Sequence, residues 1–246
     1  MKGENRRKIK AFVDTLPFMR KPRRVAPPKL VGHSQWADFL EREFNKPGMR
    51  VLEIGSRVVT GANHRSRFSQ AEYLGFDFYP GENVDVVGDA HRLSEYFPKG
   101  EQFDLIFCSA VFEHLHMPWV VAEEITSLLK VGGHVFVETH FSYIAHERPW
   151  NFYQFSDMGL RALFNTGLGY DLVDSGLSNP MAGFFTEHAD RYLRYRPITE
   201  LYCHSEILCR KREVVTGFDW RSLAADSVVD GTRYPPPGAA AGSSAD

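Results

Sequence analysis

VLEIGSR, Val51 to Arg57, is a short apolar run that ends in glycine. Val51, Leu52 and Ile54 supply the apolar side chains, with Gly48 before them and Gly55 after. This pattern predicts a buried strand running into a tight turn. Glycine at such a turn lets a ligand come close to the backbone. In open α/β sheets, ligands lie outside the carboxyl ends of the strands. A cofactor is therefore expected at Gly55, with the Glu53 carboxylate at its edge.

Two ligand chemistries compete for this turn. A dinucleotide needs G-x-G-x-x-G, so that backbone amides cradle a pyrophosphate. Here Arg57 stands where the second glycine should be, and Val58 and Val59 follow it. Glu53 would also repel an anion. S-adenosylmethionine has no phosphate and carries a sulfonium and an ammonium, which suit a carboxylate beside the turn.

Outward from this stretch, strands and helices alternate. Residues 71–77 (AEYLGFD) read as a second strand ending in an acid, and Asp77 lies 22 residues past Gly55. That is the placement of a ribose-binding acid after the first βα unit. Residues 83–87 form a short third strand, closed by Gly88, Asp89 and Ala90. Residues 103–108 (FDLIFC) form a fourth strand, continuously apolar as parallel strands are. A helix over 118–130 has Pro118 in its first turn and is ended by Gly132 and Gly133. Residues 134–139 make a fifth strand, and Ser156 caps a helix through Phe164. Residues 170–174 and 201–210 read as two last strands, with a helix over 184–195 inserted between them. Upstream, residues 33–44 read as a helix with Trp36, Phe39, Leu40 and Phe44 on one face. The alternation predicts an α/β fold, a doubly wound and mostly parallel sheet with right-handed connections.

The net charge of -2 hides an asymmetry. Residues 1–24 hold nine Lys/Arg against Glu4 and Asp14, so a basic leader precedes an acidic body. The leader, residues 1–31, reads as a basic arm, with a short amphipathic helix around Ile9, Phe12, Val13 and Leu16. A solvated arm is favoured over a contact with a phosphate-bearing partner. The main domain is expected over 32–212, with an insertion at about 180–198. Residues 213–246 form an extension, disordered from about 233, where YPPPGAAAGSSAD is of low complexity. No apolar run reaches the roughly 18 residues of a membrane span, and no signal peptide is apparent. Cys108, Cys203 and Cys209 show no framework spacing and read as buried free thiols in a reducing cytoplasm.

Four stretches together carry a resemblance: VLEIGSR, AEYLGFDFYPGENVDVVGDAHRL, FDLIFCSAVFEHL and LLKVGGHVFVETH. In this order and spacing, over residues 48 to 175, the chain resembles a small stand-alone class I S-adenosylmethionine-dependent methyltransferase, of the type 11 group. The resemblance implies a seven-stranded Rossmann-like sheet with its last strand antiparallel. It also implies that Gly55 lies under the methionine part of the cofactor and Glu53 orients its ammonium. Asp77 would take the ribose hydroxyls, with Phe78 beside it. Asp89 would meet the adenine amino group, with the Ala90 backbone alongside. Ser109 and Ala110 would pass near the sulfonium. Where the family has G-x-G, this chain has Gly55-Ser56-Arg57, and these residues form the cofactor loop. The stretch Pro149-Trp150-Asn151-Phe152-Tyr153-Gln154-Phe155 resembles a P-x-D-x-W-R-F run of one subgroup, with Asn151 and Gln154 replacing its acid and arginine.

Methyl transfer requires a nucleophile held in line and, for an alcohol or amine, a group to take one proton. Glu113, His114, His116, His140, His146 and Glu147 cluster after the fourth and fifth strands. His140 and His114 rank first as the base, on position. Glu113, His114, His116 and His140 also offer metal-ligand atoms. Their spacing matches no HExxH-type motif, so no metal is expected. At least half of Trp150, Phe152, Tyr153 and Phe155 are expected in the core. The expected function is methylation of an oxygen, less so a nitrogen, of a small molecule such as a sugar or secondary metabolite. The alternatives are a nucleic-acid or protein methyltransferase and a non-catalytic cofactor-binding scaffold. A nucleic-acid partner is not expected, since Ser109-Ala110-Val111-Phe112 replaces the N/D-P-P-Y/F turn of amine methyltransferases and the body is acidic. A homodimer is compatible with the inserted segment.

Overall fold

The computed structural model describes residues 2–15, 25–59, 61–225 and 228. A first helix, α1 (Lys2–Thr15), precedes α2 (Trp36–Phe44) and the strands β1 (Arg50–Ile54), β2 (Glu72–Asp77), β3 (Val86–Val87) and β4 (Phe103–Ser109). Then come α3 (Pro118–Leu128), β5 (Leu129–His140), α4 (Asp157–Leu163), β6 (Tyr170–Phe184) and β7 (Pro197–Lys211). The seven strands lie in the order β3-β2-β1-β4-β5-β7-β6. All neighbours are parallel except β7, which runs antiparallel to both β5 and β6. This is the expected doubly wound sheet.

Side-chain alternation along the strands sorts the two layers. Leu52, Ile54, Ile106 and Cys108 pack toward α3 and α4, against Val121, Ile125 and Leu160. Val51, Leu105 and Phe107 pack on the opposite face, against Trp36, Leu40 and Phe44 of α2. Both faces are covered, so β1 and β4 carry near-continuous apolar sequence. Each fully buried side chain of this size contributes roughly 1.5–3 kcal/mol. Among its described residues, the link from β1 to β2 contains a 3-10 turn, Arg65–Phe68, rather than a full crossover helix. Ser156 caps α4 as expected, its Oγ accepting from the Gly159 N–H at 3.0 Å.

Three expectations are corrected. Gly132 and Gly133 do not end α3, which stops at Leu128 and passes directly into β5. They lie within β5, where pairing jumps from Phe103↔Leu129 to Leu105↔His134. Gly132 takes φ +87, and a Cβ on Gly133 would stand 3.0–3.1 Å from three backbone carbonyls. The pair therefore serves a bulge. The segment over 184–195 is not helical either. β6 and β7 run on as a long hairpin, pairing as far as Phe184↔Pro197. Turns from Thr186 to Arg196 close it, with Tyr195 at φ +60. Finally, β3 is two residues long.

His140 pairs with His204, so the hairpin continues well past the end of β5. It stands as a wall beside the carboxyl ends of the sheet. α1 packs on this wall, with Lys8 Nζ 4.8 Å from the Tyr195 ring centre. Between them lies a cavity of about 500 Å³ bordered by Phe12, Phe184 and Tyr195. Leu16 and the tail from residue 233 fall outside the described residues.

Candidate active site

The carboxyl ends of β1, β2, β3 and β4 form one continuous rim. Gly55 takes φ +81, and a Cβ there would collide with the Val111 side chain. The glycine thus lets the segment after β4 close onto the end of β1. Gly55 and Ser56 both donate their backbone N–H to the Phe76 carbonyl, at 2.8 and 3.1 Å. Ser56 is buried, and its hydroxyl donates to the Asn83 carbonyl at 3.0 Å. Its role in the turn is structural bracing.

Arg57 and Asp77 are joined. The Arg57 N–H donates to Asp77 Oδ2 at 3.2 Å, and the Tyr79 N–H donates to Oδ1 at 2.9 Å. Arg57 Nε stands 3.5 Å from Oδ1, and the guanidinium lies over the Tyr79 ring. Two backbone donors therefore aim the Asp77 carboxylate at the rim. The Gly88 N–H donates to the Asp77 carbonyl at 2.9 Å, which brings Asp89 alongside. Asp89 caps the 3-10 segment Ala90–Tyr96, its Oδ1 accepting from the His91 N–H and facing His91 Nδ1 at 2.7 Å. Partial burial opposes ionisation of Asp89, but the His91 contacts outweigh it and hold the carboxyl below its ordinary value. Ala90 is buried beneath.

Glu53 is 5% exposed and takes a short hydrogen bond from the Tyr73 hydroxyl. Tyr73 in turn accepts from Asn83 Nδ2 at 3.0 Å. Burial pushes the Glu53 carboxyl up to about 7, with Tyr73 and Arg65 opposing and Asp77 adding to the rise. At the end of β4, the Ser109 hydroxyl donates to Glu138 Oε1 at 2.9 Å. Ala110 follows at φ +54, a left-handed conformation uncommon outside glycine, and its N–H donates to the Glu138 carbonyl.

The donor set fits a cationic nucleoside better than a dinucleotide. Glu53, Asp77 and Asp89 place three carboxylates along the ends of β1, β2 and the short β3. Among the described residues, the turn after β1 offers no glycine-lined phosphate cradle.

The candidate bases divide into two groups. His116 leaves the cluster, its ring 4.2 Å from His91. Glu113, His114, His140, His146 and Glu147 stay together beyond β4 and β5. Glu113 is fully buried; its Oε2 accepts from the Thr139 hydroxyl at 2.7 Å and its Oε1 lies 2.7 Å from His140 Nδ1. Neither Oε1 nor His140 Nδ1 completes an aligned hydrogen bond. Burial would raise the Glu113 carboxyl, but the His140 and Thr139 contacts hold it below its ordinary value. The His140 ring stacks on Tyr143 at 4.4 Å and 10°.

An aromatic strap crosses this end of the sheet. The N–H groups of Phe152 and Tyr153 donate to the Glu113 carbonyl at 2.8 and 3.2 Å, and the Phe155 N–H donates to the His140 carbonyl at 2.8 Å. Only Phe155 of the four aromatics is buried; Trp150, Phe152 and Tyr153 are exposed, contrary to the expected core packing. The backbone bonds fix the strap across the opening rather than within the interior. Trp150 reaches Phe78 at the end of β2, with ring centres 6.3 Å apart.

Sequence reasoning missed a second polar group on the hairpin side. Glu138 Oε2 lies 2.8 Å from His33 Nδ1, and the His33 ring stacks on His204 at 4.0 Å. Glu138 pairs across the sheet with Glu206, which is fully buried. Acids at inward strand positions, 138 and 206, were the available signal.

A family profile described as "Methyltransferase domain" matches residues 31–178. A tRNA U34 carboxymethyltransferase from Campylobacter hominis is 30% identical over 129 residues, which is 44% of this chain and 44% of that enzyme. The chain thus matches under half the length of this relative. Among solved structures, the YcgJ protein from Bacillus subtilis shares 19% identity at a TM-score of 0.50, covering 72% of this chain and 98% of that one. The 1,6-didemethyltoxoflavin-N1-methyltransferase from Burkholderia thailandensis, solved with its acceptor and S-adenosylhomocysteine, shares 15% identity at a TM-score of 0.50, covering 72% and 76%. At these identities the two structures speak to the fold.

Proposed function

The chain belongs to the methyltransferase domain family, with S-adenosylmethionine as cofactor, and from that premise we propose that it moves a methyl group to an oxygen of a small molecule. The aromatic strap supports this reading: its backbone is pinned to the Glu113 and His140 carbonyls, across the ends of β4 and β5. No helix among the described residues is long and apolar enough to cross a membrane.

S-adenosylmethionine supplies a methyl group already activated by a sulfonium. Gly55 and Arg57 would shape the turn that holds it, Glu53 would attract its ammonium, and Asp77 would accept from the ribose hydroxyls through charge-assisted bonds. Phe78, Asp89 and Ala90 would hold the adenine end, and Ser109 and Ala110 would line the sulfonium end. Ser56 would brace the cofactor loop through its hydroxyl's bond to the Asn83 carbonyl.

His140 takes the acceptor hydroxyl proton on its ring, with Glu113 behind Nδ1 orienting the imidazole. With the cofactor bound, the acceptor oxygen would form the new C–O bond as the S–CH3 bond breaks and its electron pair stays on sulfur. His114 stands beside this path and is the second candidate for the acceptor contact. Holding oxygen and methyl in line would supply most of the acceleration.

One observation favours a second reading, an RNA acceptor. Arg6, Arg7, Lys8 and Lys10 are exposed on α1, and the relative from Campylobacter hominis is named for tRNA. The test incubates the protein with S-adenosylmethionine and, in separate arms, a panel of hydroxylated metabolites and bulk tRNA, and follows methylated products by mass. Methylation among the metabolites supports the first reading; methylation of tRNA alone replaces it with the second.

A further inference from the structure

Beyond β4 and β5, Glu113, His114 and His146 each present one ligand atom, and these atoms lie within 4.8 Å of one another. They come from two separate segments, the turn after β4 and the loop after β5. The sequence expectation had no metal, because the neighbours Glu113 and His114 lack a spaced partner. His146 is that partner, and only the fold brings it close.

Hydrogen bonding sets the protonation pattern of all three. The Nδ1 of His114 faces the Trp150 carbonyl at 2.9 Å, and the Nδ1 of His146 faces the Ile144 carbonyl at 2.9 Å. A carbonyl can only accept, so both Nδ1 atoms carry the hydrogen. In neutral imidazole this leaves the Nε2 lone pair free, which is the arrangement metal-ligating histidines adopt. Glu113 is held in the same way, its Oε2 taking the Thr139 hydroxyl. Its Oε1 is fully buried, lies 2.7 Å from His140 Nδ1 without completing an aligned hydrogen bond, and stands 4.0 Å from His114 Nε2. A buried carboxylate oxygen without an aligned donor is costly unless something else satisfies it. Glu147 Oε2 adds a further oxygen, 3.5 Å from the same Nε2.

We propose that Glu113, His114 and His146 form a binding site for a first-row divalent transition cation, zinc or a close equivalent, beside the acceptor position. Two imidazoles and one carboxylate suit such ions, whereas calcium and magnesium prefer oxygen ligands alone. Three protein ligands leave coordination positions open. The site borders the strap, where His114 Nδ1 faces the Trp150 carbonyl, and lies next to His140, whose ring centre is 5.1 Å from that of His146. Its role there is to orient and polarise an acceptor oxygen. That role rests on the acceptor reading above; the binding of the cation does not.

The test uses the untagged full-length protein, stripped with chelator and titrated with cobalt(II), then with zinc as competitor. The visible bands of cobalt(II) report nitrogen and oxygen ligation without any turnover. The expected result is one cobalt per chain, displaced by zinc. His146→Ala and His114→Ala should each weaken binding about tenfold or more, and His188→Ala, on an exposed side chain, should leave it unchanged. Titration of the same samples with S-adenosylhomocysteine checks folding and separates the two ideas. Cofactor binding without saturable cobalt binding, or cobalt binding untouched in both His146→Ala and His114→Ala, overturns the cation site and leaves the methyl-transfer reading standing. Cobalt binding without cofactor binding does the reverse.

Discussion

Glu113 Oε1 and His140 Nδ1 stand 2.7 Å apart, with the Glu113 side chain fully buried and the His140 ring stacked on Tyr143. One residue comes from the turn after β4 and the other ends β5. The pairing of β4 with β5, Ser109↔Glu138 at its last rung, brings them together. The Glu113–His140 pair is thus built on the central strands of the sheet.

Replacing His140 with Ala removes the group assigned to the acceptor proton. Turnover should fall by about 10²–10⁴, while affinity for S-adenosylhomocysteine stays within a few-fold. Steady-state rates and calorimetry on one preparation check this. If His114→Ala loses the activity and His140→Ala does not, the two assignments are exchanged.

Cofactor affinity should depend on pH through Glu53. Burial raises its carboxyl to about 7, and Tyr73, Arg65 and Asp77 are the polar groups that face it. Only the ionised form attracts the ligand ammonium, so affinity should rise as pH climbs through about 7. Glu53→Gln should flatten that rise. Calorimetric titrations across the range would show a pH-independent wild type if Glu53 played no part.

Stability should depend on pH through Glu206. It is fully buried on β7, and burial pushes its carboxyl up to about 8. Glu138 on β5 adds to the rise, while Ser178 on β6 and His33 ahead of α2 oppose it. In the unfolded chain the group ionises in the ordinary carboxylate range, so between that range and about 8 the folded state holds the extra proton. Stability from this group is complete at low pH and is lost as pH rises through about 8, at up to about 1.4 kcal/mol per pH unit. Urea midpoints of wild type and Glu206→Gln, compared near pH 5 and near pH 9, should diverge at the higher pH with the variant more resistant.

Deleting residues 1–24 removes α1 from its seat on the hairpin, where Lys8 lies over Tyr195. The cofactor rim is built from β1 to β4, so S-adenosylhomocysteine affinity should be nearly unchanged. A large loss on calorimetry would mean that α1 supports the rim.

Much of this fold was legible because β1, β4 and β5 are apolar on both faces and bounded by glycine or polar turns. The positions of Asp77 and Asp89 at the strand ends were legible, since one ends β2 and the other lies two residues past β3. The hairpin was not. Residues 184–195 mix aromatic and charged side chains at spacings compatible with a helix, and only pairing between 175–184 and 197–207 reveals strands. Gly132 and Gly133 misled for a related reason: two glycines after a helix read as a stop, while here they bend β5. The sequence grouped His146 with Glu113 and His114 after the fourth and fifth strands, but no spacing pattern showed that their ligand atoms come within 4.8 Å of one another.

The rim assignment is tested most directly by titrating wild type and Asp77→Ala with S-adenosylhomocysteine in a calorimeter. Asp77 is aimed by the N–H groups of Arg57 and Tyr79, and a charge-assisted hydrogen bond is worth about 1.5–3 kcal/mol. The expected result is one ligand per wild-type chain, with affinity about ten- to a hundredfold weaker in Asp77→Ala, and no heat with NAD. Equal affinity in the two proteins, or binding of NAD in place of S-adenosylhomocysteine, would contradict the placement of the cofactor along Gly55, Asp77 and Asp89.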